Sequence, residues 1–167
     1  WIGPYGASMC AISGIDMALL DLKGKVLNTP CYELLGGAYR KDILLYANYW
    51  FTKGRHNEED YAIQARVVKE ADFTGLKFDP FAHTNYFYGE DLTSNLTLTP
   101  AQQDLAFNVS KAVREAVGPE MDIMIETHAM LNYRIAVKMA KRLAGLDIAW
   151  YEEPAGPESS QTLRAMR

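Results

Sequence analysis

The segment DIMIETHAM, residues 122–130, is apolar until it reaches Glu126, and an imidazole follows two positions later at His128. A second apolar segment, DIAWYE, stops at Glu152 and is followed by Glu153 and Pro154, while GLKFDPF carries Lys77 and Asp79 where it runs into Pro80. A carboxylate at the end of a buried strand needs a counter-ion, a metal or water, because burying an unpaired charge is strongly disfavoured. Two such strands in succession would set carboxylates side by side at a low-dielectric rim, where they repel each other. A hard divalent cation taking oxygen ligands holds both ionised, and magnesium suits this best. Singly, each residue has a plainer explanation. Glu126 could form a structural salt bridge with Lys77, His128 could be a loop histidine, Lys77 could snorkel out of the rim, and Glu152-Glu153-Pro154 could be an acidic turn. His56 and His83 read as surface loop residues, although His83 lies in a long loop from which it could reach a substrate. The conjunction is harder to dismiss than its parts.

The elements that must position these groups follow from periodicity and punctuation. Ile12, Ile15, Leu19, Leu22 and Val26 recur at steps of three and four, the stripe of an amphipathic helix that Ser8 could cap and that stops before Pro30. ILLYANYW, residues 43–50, reads as a buried strand. Asn57 followed by Glu58, Glu59 and Asp60 is an N-cap with an acidic first turn, for a helix running to about residue 72. GLKFDPF is a second strand, and residues 81–98 form a loop long enough to suggest a functional role. Thr99-Pro100 opens a helix that Gly118-Pro119 closes. DIMIE is a third strand, a helix follows near 132–144, DIAWYE at 147–152 is a fourth strand, and the last residues begin another helix. Four alternations of strand and helix argue for an α/β fold of parallel βα units. Both an open doubly wound sheet and part of an eight-stranded barrel satisfy them, and in either the site lies at the carboxyl ends of the strands. The end of the first expected strand, Asn48 to Trp50, belongs to the same rim. Neither GxGxxG nor GxxxxGK[ST] occurs, which weakens a nucleotide-binding reading.

Composition restricts the partners. A hydrophobic content of 49%, charge of 23% and net charge of -4 describe an ordinary globular chain without a basic block, so neither nucleic acid nor an anionic membrane is expected. A small-molecule ligand and a cytoplasmic location are the expectations. Cys10 and Cys31 have no metal-ligand spacing and read as packing thiols.

Four stretches carry a resemblance: SGIDMALLDLKGKVLNTPCYELLGG (13–37), GLKFDP (75–80), AVREAVGPEMDIMIETH (112–128) and WYEEP (150–154). In this order they resemble the mandelate racemase and muconate lactonising branch of the enolase superfamily. The separation of 26 positions from Glu126 to Glu152 also agrees with that family's spacing of its first two metal ligands. The resemblance implies a partial TIM (β/α)8-type barrel, its first four βα units spanning 41–167, preceded at 1–40 by the helical end of a capping region or linker. It implies Glu126 and Glu152 as ligands of Mg2+, Lys77 as the first lysine of the family's KxK motif, neutralising a substrate carboxylate, and His128 as the general acid that sugar-acid dehydratases of this branch use. Trp50, Asp79 and His83 are the expected substrate contacts. The chemistry needs these types: a proton removed next to a carboxylate leaves an enediolate that a Lewis acid stabilises, and an acid must then protonate the departing β-hydroxyl.

Two departures stand out. The first ligand of the family is usually aspartate, so Glu126 reaches one methylene further. Asp79 replaces the second lysine, the base on one face, which argues against two-base racemisation. The expected activity of the intact protein is dehydration of a sugar acid, with cycloisomerisation or epimerisation as the sister reading and a non-catalytic binding half as a reading from another class. Four strands cannot close an eight-stranded barrel. The chain is therefore expected to be a piece of a longer protein, inactive by itself, with the opposite-face base and a third carboxylate after Arg167. Either a complementing C-terminal half-barrel or a homo-oligomer of the intact protein is the expected assembly.

Overall fold

A computed structural model describes residues 6–52, 57–81, 97–156 and 163–164. The chain divides into two compact units, residues 1–43 and 44–167.

In the first unit, α1 (Ala7–Leu27) and α2 (Cys31–Leu34) make a helical corner. Asn28 ends α1 in the left-handed conformation at φ 49°, and its backbone N–H returns to the carbonyls of Gly24 and Lys25. Gly24 is required here: a Cβ at this position would meet the Thr29 carbonyl oxygen at 2.8 Å. Helix α1 starts after Gly6 without a side-chain cap, so Ser8 lies inside it rather than capping it. Of its residues only Gly24 is buried, and the expected core stripe of Ile12, Ile15, Leu19, Leu22 and Val26 is exposed.

The second unit is a three-stranded parallel sheet with helices. Its order is β1 (Gly75–Phe78), β2 (Asp122–Glu126), β3 (Trp150–Glu152), joined through α4 (Pro100–Val117) and α5 (Tyr133–Leu143), with α3 (Glu58–Glu70) before β1. The register pairs Leu76 with Ile123, Phe78 with Ile125, and Ile125 with Tyr151. Leu76, Phe78, Ile123 and Ile125 are all but fully buried. They share one core with Tyr61, Ala65 and Val68 of α3, Ala106, Val109, Val113 and Val117 of α4, and Ile135, Met139 and Leu143 of α5. Each large side chain so buried contributes about 1.5–3 kcal/mol. Helix starts follow their capping chemistry. The Asn57 side chain accepts from Asp60 N–H, Asn132 accepts from Ile135 N–H, and Thr99 forms a capping box with Gln102, with Pro100 at the first helical position.

The segment 43–50 differs from expectation. Among the described residues it contributes one parallel bridge, Ala47 to Leu76, before a 3-10 turn at Trp50–Thr52. Ile43, Leu44 and Leu45 are 71–80% exposed, so the stretch is not a buried strand. A strand needs a partner along its whole length, and here only Ala47 finds one. The strand expected over 147–152 is likewise confined to 150–152. Among the described residues the sheet has three strands rather than four.

Candidate active site

Parallel pairing in register brings the site together. Glu126 and Glu152 are register partners at the carboxyl ends of β2 and β3, and Lys77 pairs with Met124, two residues earlier on the same face. The Lys77 ammonium lies 3.3 Å from Glu126 Oε2 and 2.8–2.9 Å from both oxygens of Glu152. Lys77 and Glu126 are buried, whereas Glu152 keeps 33% of its side chain exposed. Burial opposes the charge on Lys77, but the bonds to Glu152 and Glu126 outweigh it and hold the ammonium above the ordinary lysine range. Burial likewise opposes the charge on Glu152. Bonds from Lys77 and the Trp150 indole, together with its contact to Glu126, prevail and hold its carboxyl below the usual carboxylate range.

The turn after β2 shapes the other half. Glu126 Oε1 accepts from the backbone N–H groups of Thr127 at 3.0 Å and His128 at 2.9 Å. The extra methylene of glutamate is thus taken up by folding the carboxylate back onto its own turn, a small backbone nest for an anion. His128 and Ala129 are both left-handed, at φ 52° and 56°, a conformation that costs non-glycine residues about 1–3 kcal/mol each and that surrounding contacts must enforce. Those contacts are visible. Ala129 N–H donates to the Glu153 carbonyl at 2.9 Å, Met130 N–H to the Thr127 carbonyl at 3.0 Å, and the buried Thr127 hydroxyl to the Glu153 carbonyl at 2.5 Å. The imidazole of His128 then lies between two carboxylates, Nδ1 at 3.9 Å from Glu126 Oε1 and Nε2 at 3.8 Å from Asp79 Oδ2.

The remaining expected residues are placed as follows. Asp79 is completely buried, and its Oδ1 accepts from Phe81 N–H at 2.7 Å. Trp50 donates its indole N–H to the Lys77 carbonyl at 2.9 Å and packs its ring among Phe51, Tyr61 and Phe78, in the aromatic cluster beside β1. His83 lies outside the described residues. Sequence reasoning passed over Tyr46, Trp150 and Thr127, and named Glu153 only as the neighbour of Glu152 at the strand end. The Lys77 ammonium sits 5.6 Å over the Tyr46 ring, and Trp150, edge-on to Tyr46, donates its indole N–H to Glu152 at 3.1 Å. Trp150 was legible in principle, since it lies two residues before Glu152 on the same face of the strand.

The donor set fits a hard divalent cation. Two carboxylates already converge on one cationic centre, and their oxygens are the donors such an ion takes. One ligand atom each from Glu126, His128 and Glu153 also lie within 4.8 Å of one another, so Glu126 is shared by two candidate groups of donors.

The parallel βα sheet thus carries a lysine, glutamate and histidine array at its strand ends. The profile of the Enolase C-terminal domain-like family matches residues 60–167, and that of the mandelate racemase / muconate lactonizing enzyme N-terminal domain matches residues 3–36. The chain belongs to the mandelate racemase / muconate lactonizing enzyme branch of the enolase superfamily. It is 38% identical over 161 residues, 96% of its length, to a D-gluconate dehydratase of Thermoproteus tenax. To a D-galactarolactone cycloisomerase of Agrobacterium fabrum it is 32% identical over 166 residues, 99% of its length. The chain spans about a third of these relatives, 30% of the first and 39% of the second. A member of the enolase superfamily from Salmonella Typhimurium superposes with a TM-score of 0.80 at 31% identity, over 92% of this chain and 41% of that one.

Proposed function

We propose that the intact protein is a magnesium-dependent sugar-acid dehydratase. The observation that carries this reading is the convergence of Glu126 and Glu152 on one cationic centre, with His128 on the turn beside it. Glu126 and Glu152 would hold the metal, which when bound supplies Lewis-acid stabilisation of charge developing next to the substrate carboxylate. The substrate is a small polyhydroxy carboxylate. Lys77 keeps its proton throughout the physiological range and so offers a permanent positive charge to that carboxylate. His128, fixed on a tight turn, would give a proton to the departing β-hydroxyl, a contribution of about 10²- to 10⁴-fold. The similarity to a protein named D-gluconate dehydratase supports the same reaction class.

The test is to titrate magnesium into the full-length protein and assay a panel of sugar acids for keto-acid release. Turnover that requires the metal and falls at least a hundredfold in His128→Asn is expected; absence of metal binding, or of any keto acid across the panel, overturns the reading. Similarity to a protein named a cycloisomerase supports a second reading that shares the first proton abstraction. Mass spectrometry separates the two, because dehydration removes one water from the substrate and cycloisomerisation leaves its mass unchanged.

A further inference from the structure

We propose that Trp150 is a positioning residue for Glu152, its indole N–H being the neutral anchor that holds this carboxylate for a divalent cation while Lys77 gives way. The proposal rests on the reading of Glu126 and Glu152 as metal ligands and adds to it what keeps Glu152 in place.

Side chains two apart on a strand share a face, so Trp150 and Glu152 project together from β3. The Trp150 indole donates to Glu152 Oε2 at 3.1 Å, and the Lys77 ammonium donates to the same oxygen at 2.8 Å and to Oε1 at 2.9 Å. The two donors differ in charge. Lys77 and a divalent cation drawing on the same oxygens repel each other, because both are positive. An indole N–H is neutral and only donates, so it stays on the carboxylate without opposing an incoming ion. Each carboxylate oxygen offers two lone pairs. Trp150 takes one of those on Oε2, and the sites that Lys77 holds are the ones it can yield.

Glu126 has the same arrangement built from backbone. Its Oε1 accepts from the N–H groups of Thr127 and His128, while Oε2 faces Lys77 at 3.3 Å. Each carboxylate thus combines a neutral anchor of its own with the shared ammonium. The anchor of Glu126 is the turn that follows it, and that of Glu152 is the side chain two positions before it.

The indole is itself held. Ala47 donates its N–H to the Gly75 carbonyl at 3.0 Å and accepts the Lys77 N–H at 2.8 Å, on the edge of β1 away from β2. Tyr46 is thereby fixed at one edge of the sheet and Trp150 at the other, yet their rings meet edge-on with centroids 5.6 Å apart. In a flat sheet those edges would stand three strand spacings of about 4.8 Å apart, so the aromatic pair closes over a curled face. Trp150 is 42% exposed and lies outside the buried cluster, so core packing does not account for it.

The test removes the N–H and keeps the ring. Benzothienylalanine, the tryptophan isostere with sulfur in place of the N–H, is placed at position 150 alone in the full-length protein, and magnesium affinity is measured by calorimetry. A loss of about tenfold or more is expected, and Trp150→Phe should lose at least as much. The same loss is expected in a Lys77→Met background, since the anchor acts once the ammonium has yielded. A folded isostere variant that melts lower but binds magnesium like the wild type overturns the proposal. So does a loss that disappears in Lys77→Met, because Trp150 would then act through Lys77. Weakened magnesium binding in a protein that dehydrates no sugar acid would instead overturn the proposed reaction and leave the positioning role standing, whereas a wild type that binds no magnesium overturns both.

Discussion

At the scale of single residues, Lys77 does two opposed things. It compensates two carboxylates set side by side, and it occupies the centre on which they converge. Lys77→Met should therefore destabilise the second unit by about 2 kcal/mol, less than for a wholly buried pair because Glu152 keeps 33% of its side chain in water. Magnesium should restore more stability to this variant than it adds to the wild type, which thermal unfolding with and without the ion would show. The pH dependence follows from the signs of the shifts. Glu152 has a folded pKa below its ordinary 4.5, so its stabilisation is complete above that value and drains as the pH falls through the folded one. Lys77 has a folded pKa above its ordinary 10.5, so its stabilisation is complete below 10.5 and drains only as the pH rises through the folded value. Lys77→Met should abolish the alkaline loss. A variant with an unchanged alkaline limb would remove the triad from the account.

At the scale of elements, the strands are short and their alignment depends on what ties the loops down. Arg114 on α4 donates to four carbonyls: Gly118 and Met121 at the α4–β2 turn, and Leu146 and Asp147 ahead of β3. One guanidinium thus ties down the approaches to two adjacent strands, which pair from Met124 with Trp150 to Glu126 with Glu152. Arg114→Ala leaves several part-buried carbonyls unpaired and should cost about 3 kcal/mol in denaturant melts. It should also weaken magnesium binding, although Arg114 is not among the groups converging on the cationic centre. Loss of stability with metal affinity intact would mean that the register survives without it. The misreading of 43–50 belongs to this scale too. Aromatic and aliphatic composition is common to strands and to covered loops, and pairing, which decides between them, is non-local.

At the scale of the molecule, the second unit carries three parallel strands and two carboxylates of the proposed metal site, while the relatives it matches are about three times as long. Strand ends contribute to one centre only when the strands around them are aligned. The 167-residue stretch expressed alone is accordingly expected to release no keto acid in an assay that detects the full-length protein; turnover by the stretch alone would show that these strands suffice. Among the described residues no helix is long and apolar enough to cross a membrane.

The helices α3, α4 and α5, and the strands carrying Lys77 and Glu126, were legible in the sequence because their signals are local: caps such as Asn57 and Thr99, a period of 3.6, and apolar runs ended by charge. The residue types of the site were legible for the same reason. Tertiary structure alone decided that Glu126 and Glu152 stand in register, that Lys77 is the group between them, and that Asp79 turns inward to His128. Those relations depend on which strand lies beside which and at what offset, and a one-residue slip in pairing would send the same side chains to the opposite face.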